Sequence, residues 1–203
     1  MAENWAAKTI ETYDASAEQL ADYFKGIGPR VDDIERAIDL ADTNTDLRVV
    51  EIGCGDGRDA AEIVDRVTWY EGVEPSKGLL KLARQKLPDV NFVNDTIQNY
   101  EFPDDLDVVF AFASLLHLSR EENAQLFPRV AKALHKGGVF FVSLKEGEKY
   151  EPRLQQDKFG DRMFYYYDVD TVRELAGDAF SLEYECHQTI GNTDWIELGF
   201  QRV

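Results

Sequence analysis

The sequence predicts an α/β domain: a doubly wound, mostly parallel sheet of seven strands, the last one antiparallel, with an N-terminal helical cap. Three observations carry this expectation. Short apolar runs alternate with amphipathic patterns of about ten or more residues, the length that parallel strands need for their crossovers. A glycine-rich turn, Gly53-Cys54-Gly55-Asp56-Gly57, joins the first such run to the helix after it. The last two runs are separated only by Gly191-Asn192-Thr193-Asp194, which suits an antiparallel hairpin.

Along the chain, Ile10, Tyr13, Ala17, Leu20 and Phe24 recur at intervals of three and four, so 5–24 is expected as one amphipathic helix. Gly28-Pro29 breaks it, and Val31, Ile34, Ala37, Ile38 and Ala41 mark a second helix. The polar run Asp42-Thr43-Asn44-Thr45-Asp46 ends the cap, 1–46. The first strand is 47–52, and Ala60, Ala61, Ile63 and Val64 carry the helix beyond the glycine turn. A strand at 69–74 leads to a helix over 77–87, stopped by Pro88, and then to a short strand at 91–93. The run 107–113 is strongly apolar and reads as a central strand. A helix over 120–134 is stopped by Lys136-Gly137-Gly138 before a strand over 139–144. The core is therefore 47–145. The tail, 146–203, holds a helix at 170–176, where Thr171-x-x-Glu174 has capping-box spacing, and strands at 180–187 and 195–202. All 203 residues are expected to form a single domain.

Asp and Glu outnumber Lys and Arg by 39 to 22, a net charge of −17. Affinity for phosphate backbones and anionic lipid comes from basic residues, so neither nucleic acid nor membrane is an expected partner. No apolar run approaches the roughly 20 residues that span a bilayer, and no basic-then-apolar leader opens the chain. Two cysteines, Cys54 and Cys186, offer neither a disulfide framework nor zinc spacing, so no metal is expected. The expectation is a soluble, cytoplasmic protein.

The glycine turn carries the strongest signal. Glycines allow a sharp turn and close approach of a ligand, and the following helix adds oriented N–H groups. The dinucleotide pattern G-x-G-x-x-G would put its third glycine at position 58, where this chain has Arg58. No phosphate loop of the G-x-x-x-x-G-K type occurs. Glu74 ends the second strand, where a carboxylate can accept hydrogen bonds from both hydroxyls of a ribose.

At these residues the chain resembles a known family. Val50-Glu51-Ile52-Gly53-Cys54-Gly55-Asp56-Gly57 looks like the first motif of the class I S-adenosylmethionine-dependent methyltransferases, and Gly72-Val73-Glu74-Pro75-Ser76 looks like the acidic motif that follows. The likeness continues through Asn94-Asp95-Thr96-Ile97, Ala113 to Leu118, and Leu134 to Gly138, over roughly 47–145. The stretch 143–164 further resembles small bacterial methyltransferases of the tellurite-resistance type, with Asp161 inserted in a Gly-Arg-x-Phe pattern. The resemblance implies a Rossmann-like fold, S-adenosylmethionine as cofactor and S-adenosylhomocysteine as product. It implies that Glu51 and the loop Gly53, Cys54, Gly55, Asp56 and Gly57 hold the methionine end. Glu74, with Pro75 and Ser76, would hold the ribose. Asp95, Thr96 and Ile97 would flank the adenine, with Ala113 beside the site and Tyr13 closing over the methionyl group.

For the reaction centre the sequence offers His117, at the end of the fourth strand, as a general base or an acceptor-orienting residue. Residues 129–162 break the acidic pattern, with Lys and Arg in excess over Asp and Glu. Lys145 and Arg162 are the candidates from this stretch to hold an anionic or carboxylate-bearing acceptor, and Tyr165 belongs to an aromatic wall beside them. The expected activity is methylation of a small molecule. Protein methylation and a non-catalytic S-adenosylmethionine-binding module are the alternatives. The methylated atom stays open between O, N, S and a metalloid, and the assembly between monomer and homodimer.

Overall fold

The computed structural model describes residues 4–41 and 46–203. Seven strands form one sheet in the order β3-β2-β1-β4-β5-β9-β8: β1 Arg48–Ile52, β2 Trp69–Val73, β3 Asn91–Val93, β4 Leu106–Phe112, β5 Leu134–Lys145, β8 Phe180–Ile190 and β9 Thr193–Arg202. β9 runs antiparallel to its neighbours and the other pairings are parallel, as expected. β6 Glu151–Asp157 and β7 Gly160–Tyr166 make a separate antiparallel hairpin.

β4 is buried along its whole length because helices cover both faces of the sheet. Val108 and Phe110 pack with Ile34 and Ala37 of α3 (Val31–Leu40), Ala60 and Ile63 of α4 (Ala60–Ile63), and Leu80 and Ala83 of α5 (Lys77–Lys86). Val109 and Ala111 face the opposite core, with Phe127 and Val130 of α6 (Arg120–Ala133) and Val172 of α7 (Val169–Ala176). The alternation along one strand thus supplies both layers.

The structure corrects several expectations. The stretch 5–24 is two helices, α1 (Trp5–Ala15) and α2 (Ala17–Lys25), because Ser16 leaves helical geometry and its hydroxyl donates to the Phe159 carbonyl at 2.8 Å. Lys136-Gly137-Gly138 lies within β5 rather than before it. Gly137, at φ 86°, absorbs the extra residues where the register with β4 shifts. The helix after the glycine turn is a single turn, too short to add an appreciable dipole. The N-cap of α7 is Asp168, which accepts from the Thr171 N–H at 2.9 Å, so Thr171 does not open a capping box. The hairpin β6–β7 went unforeseen. Of the polar run closing the cap, 42–45 lies outside the described residues.

Candidate functional site

A cavity of about 650 Å³ opens at the C-terminal ends of β1, β2, β4 and β5, under a roof of α1, α2 and the β6–β7 hairpin. The roof is stitched across elements: the Thr12 hydroxyl donates to the Asp161 carbonyl at 2.7 Å, and the Met163 N–H donates to Thr9 Oγ1 at 3.0 Å. The Asp14 carboxylate accepts from the Gly78 N–H at 2.5 Å, which ties α1 to the first turn of α5.

On one side lies the glycine turn. The Gly53 N–H donates to the Val73 carbonyl at 2.7 Å, joining the ends of β1 and β2. Gly55, at φ 57°, lines the cavity with nothing within 4 Å of where a Cβ would stand, so its backbone is bare to an incoming ligand. Glu74 is buried at 6 % exposure. Its carboxylate accepts from the Gly55 N–H at 3.0 Å and the Ser76 N–H at 2.8 Å. Burial outweighs these bonds and pushes its pKa up to about 7. Cys54, Asp56, Pro75, Asp95, Thr96 and Ile97 also line the cavity. Asp95 binds the Thr96 N–H at 2.8 Å, which fixes that turn.

Glu51, Gly57 and Ser76 do not line it. Glu51 lies beneath the turn, where the Tyr70 hydroxyl donates to it at 2.5 Å; burial, then the Asp59 carboxylate, pushes its pKa up to about 8. Gly57, at φ 75°, is packed close to Ala83. Ser76 is fully buried as the N-cap of α5, accepting from the Leu79 N–H at 3.2 Å. These three shape the turn from below.

On the other side, Ala113 follows β4 at φ 50°, a left-handed conformation that is costly for an L residue, and aims 114–117 at the cavity. His117 is held at both ring nitrogens. Nδ1 lies 2.8 Å from the Met163 carbonyl, an acceptor only, so Nδ1 carries the proton; Nε2 then accepts from the Tyr13 hydroxyl at 2.9 Å. Burial, reinforced by the Arg162 and Lys145 charges, pushes the imidazole pKa down to about 3. Burial likewise raises the Tyr13 phenol. The expectation that His117 acts as a base is therefore corrected: its lone pair is engaged and its proton affinity is low. NMR titration is expected to show His117 neutral with Nδ1 protonated throughout pH 5–9, whereas a midpoint near 6.5 would restore the base.

Lys145 and Arg162 both line the cavity, at 8 % and 5 % exposure. Arg162 is paired with Asp157 at 2.5 Å. Lys145 has no ion-pair partner among the described residues. Its Nζ stands 3.6 Å from the Phe164 ring centroid and 3.5 Å from Gln155 Oε1. Burial, then Arg162, pushes its pKa down to about 8. Tyr165 is corrected: it faces away, stacked on Tyr150 at 5.9 Å, because alternation along β7 turns Phe164 inward instead.

Sequence reasoning missed Arg30 and Arg58, which line the glycine side. Arg58 pairs with Asp59 at 2.6 Å, and Arg30 with Glu197 at 3.2 Å while packing near Phe112 and Trp195. Position 58, directly after the turn, was a usable signal for the first. Arg30 had none: besides Asp33, at 3.5 Å, it meets Glu197, which lies on β9. Five buried side-chain polar atoms among the described residues lack a partner, and three belong to cavity residues: Arg30 Nε, Ser114 Oγ and Arg162 Nε. Orphans gathered in one cavity point to a polar ligand there.

Residues 49–138 match the model of a methyltransferase domain family. Over these residues, somewhat under half of its length, the chain is similar to methyltransferase domains. The chain is 33 % identical, over 169 residues, to a trans-aconitate 2-methyltransferase of Shigella flexneri, covering 73 % of this chain and 65 % of that protein. The chain thus spans just under two thirds of the length of that curated relative. In fold it is similar to the Burkholderia thailandensis 1,6-didemethyltoxoflavin-N1-methyltransferase, with a TM-score of 0.73 at 16 % identity over 100 % of this chain and 92 % of that one. It is also similar to a methyltransferase of Leishmania major, with a TM-score of 0.74 at 14 % identity over 97 % and 83 %. Among the described residues no helix is long and apolar enough to cross a membrane.

Proposed function

We propose that this protein transfers a methyl group from S-adenosylmethionine to a small anionic acceptor whose nucleophile is a carboxylate oxygen. The observation that carries the acceptor class is Lys145, a buried cation on the cavity wall without a carboxylate partner among the described residues. An unpaired buried charge is costly, and an anionic ligand offsets that cost. The printed name of the Shigella flexneri relative, whose acceptor is a carboxylic acid, supports the same class. The finer kinship to the tellurite-resistance type, read from 143–164, is part of this proposal, as is the action of all 203 residues as one unit. Two free cysteines, Cys54 and Cys186, support a cytoplasmic setting.

The residues present suit the cofactor. Glu74 would accept from the ribose hydroxyls, Asp95 and Ile97 would border the adenine, and Gly53 to Asp56 would take the methionine end, with Arg30 and Arg58 near its carboxylate. When bound, the cofactor supplies a methyl group activated on a sulfonium sulfur. This chain positions the acceptor and excludes water: Tyr13 and His117 pin the roof, and Lys145 and Arg162 orient the anion. Holding reactants in attack geometry can lower a barrier by roughly 7–11 kcal/mol at best. A carboxylate arrives already ionised, so no proton has to be removed, in keeping with a His117 whose nitrogens are both engaged.

Glu74 accepts hydrogen bonds from both ribose hydroxyls best when it is ionised. Its pKa near 7 means that affinity for S-adenosylhomocysteine is expected to fall as pH drops through 7, by about tenfold per unit well below it. Calorimetry across pH 5–9 measures this. The whole proposal is tested by incubating labelled S-adenosylmethionine with a cell extract and sorting the label by size and alkali lability. Label in small, alkali-labile esters supports it, and label in protein or RNA overturns it.

A further inference from the structure

Of the five large apolar side chains that stand exposed among the described residues, three line this one cavity: Tyr23 at 56 %, Ile27 at 51 % and Ile190 at 38 %. Single exposed apolar residues are ordinary, but a group around one opening marks surface that a ligand can cover. From this rim a row of rings and cations leads inward. The Tyr23 ring meets Phe159 edge-on at 5.8 Å. The Arg162 guanidinium stands 5.3 Å from the Phe159 ring and 5.4 Å from Phe164, and Lys145 lies against the far end of the row, on Phe164. Charge awaiting a partner thus sits at the inner end, and apolar surface awaiting cover at the outer end.

We propose that the acceptor is an amphipathic monocarboxylate: its carboxylate reaches Lys145, and an apolar body of several carbons runs out along Phe164 and Phe159 to Tyr23, Ile27 and Ile190. This rests on the methyltransferase reading above and narrows it. A tricarboxylic acid would bring further carboxylates to an apolar rim, where losing hydration is costly. The one buried cation without an ion-pair partner among the described residues matches one carboxylate, because the Asp157 carboxylate is taken up by Arg162. In the transfer, a carboxylate oxygen forms the bond to the methyl carbon as the sulfur–carbon bond breaks, and the electron pair stays on sulfur. The products are a methyl ester and S-adenosylhomocysteine, with no proton left to place.

The test uses the full chain, labelled S-adenosylmethionine, straight-chain monocarboxylic acids of about four to twelve carbons, and trans-aconitate. Each added methylene is expected to raise kcat/KM about fourfold while the chain is still reaching the rim, and trans-aconitate is expected to fall below the longer acids. Ile27→Asn and Ile190→Asn are expected to flatten that slope. Leu154→Asn, which alters an exposed leucine of β6 away from the cavity, is expected to keep it. A flat series, or preference for trans-aconitate over every monocarboxylate, overturns the proposal. So does an Ile27→Asn protein that keeps the slope but turns a dimer into a monomer on sedimentation, since the rim then covers a second copy. Transfer to none of the acids while S-adenosylhomocysteine still binds also overturns it. Loss of that binding in the unaltered protein would instead sink the underlying methyltransferase reading.

Discussion

Replacing Glu74 with alanine is expected to weaken binding of S-adenosylhomocysteine at least tenfold, and toward several hundredfold. The carboxylate is the buried acceptor that closes the glycine turn onto the start of α5, through the Gly55 and Ser76 N–H groups. One hydrogen bond to a charged group contributes about 1.5–3 kcal/mol, roughly 10- to 150-fold in affinity, and a ribose offers two. The variant also leaves the two N–H groups without an acceptor, so the turn loosens as well. Glu74→Gln, which keeps one acceptor oxygen and no charge, is expected to lie between alanine and the unaltered chain. Calorimetry on the folded variants decides the point, and an unchanged dissociation constant would remove Glu74 from the cofactor site.

Lys145→Met is expected to raise the acceptor KM at least tenfold while the dissociation constant for S-adenosylhomocysteine stays within about twofold. Methionine retains the length and apolar packing against Phe164 and removes the charge. The sign of the pH dependence separates two roles for this lysine. The groups facing it are Arg162 on β7, Asp157, Gln155 and Arg153 on β6, and His117 after β4; burial and the Arg162 charge lower its pKa to about 8. As an anchoring cation it acts below that value, so kcat/KM for a carboxylate is expected to fall as pH rises through 8. A general base would show the opposite limb, rising through 8. Equal loss of acceptor and cofactor binding in Lys145→Met would place the lysine in the cofactor site.

The sheet was legible because its elements are local. The apolar runs of β1, β4 and β5 are continuous, as in strands covered on both faces, and the helical stripes of α3, α5 and α6 repeat about every 3.6 residues; neither signal needs knowledge of partners. The break at Ser16 was hidden, because the bond that stabilises it goes to Phe159, far along the chain. The hairpin β6–β7 was hidden for a similar reason. Its first strand, Glu-Pro-Arg-Leu-Gln-Gln-Asp, has no apolar face, and its second rests on α1 through Thr9 and Thr12. Cap and hairpin become a roof only together.

The site divides along the same line. Gly53, Gly55 and Glu74 were readable because turn geometry and a strand-end carboxylate are written within about twenty residues, and the structure brings all three to one cavity. The placement of Glu51 and Ser76 below the turn, and the turning away of Tyr165, depend on which neighbour each side chain meets.

The amino-acid sequence by itself determined a doubly wound sheet, a glycine turn at the end of its first strand and an acidic residue at the end of its second. Only the tertiary structure decided that His117 is locked between Tyr13 and Met163, and that Lys145 is buried with no ion-pair partner among the described residues. It alone set Arg30 beside the glycine turn. The physical reason is that a backbone turn is governed by nearby residues. The proton affinity and charge balance of a buried group are governed instead by whatever the fold packs around it, here from segments a hundred residues apart.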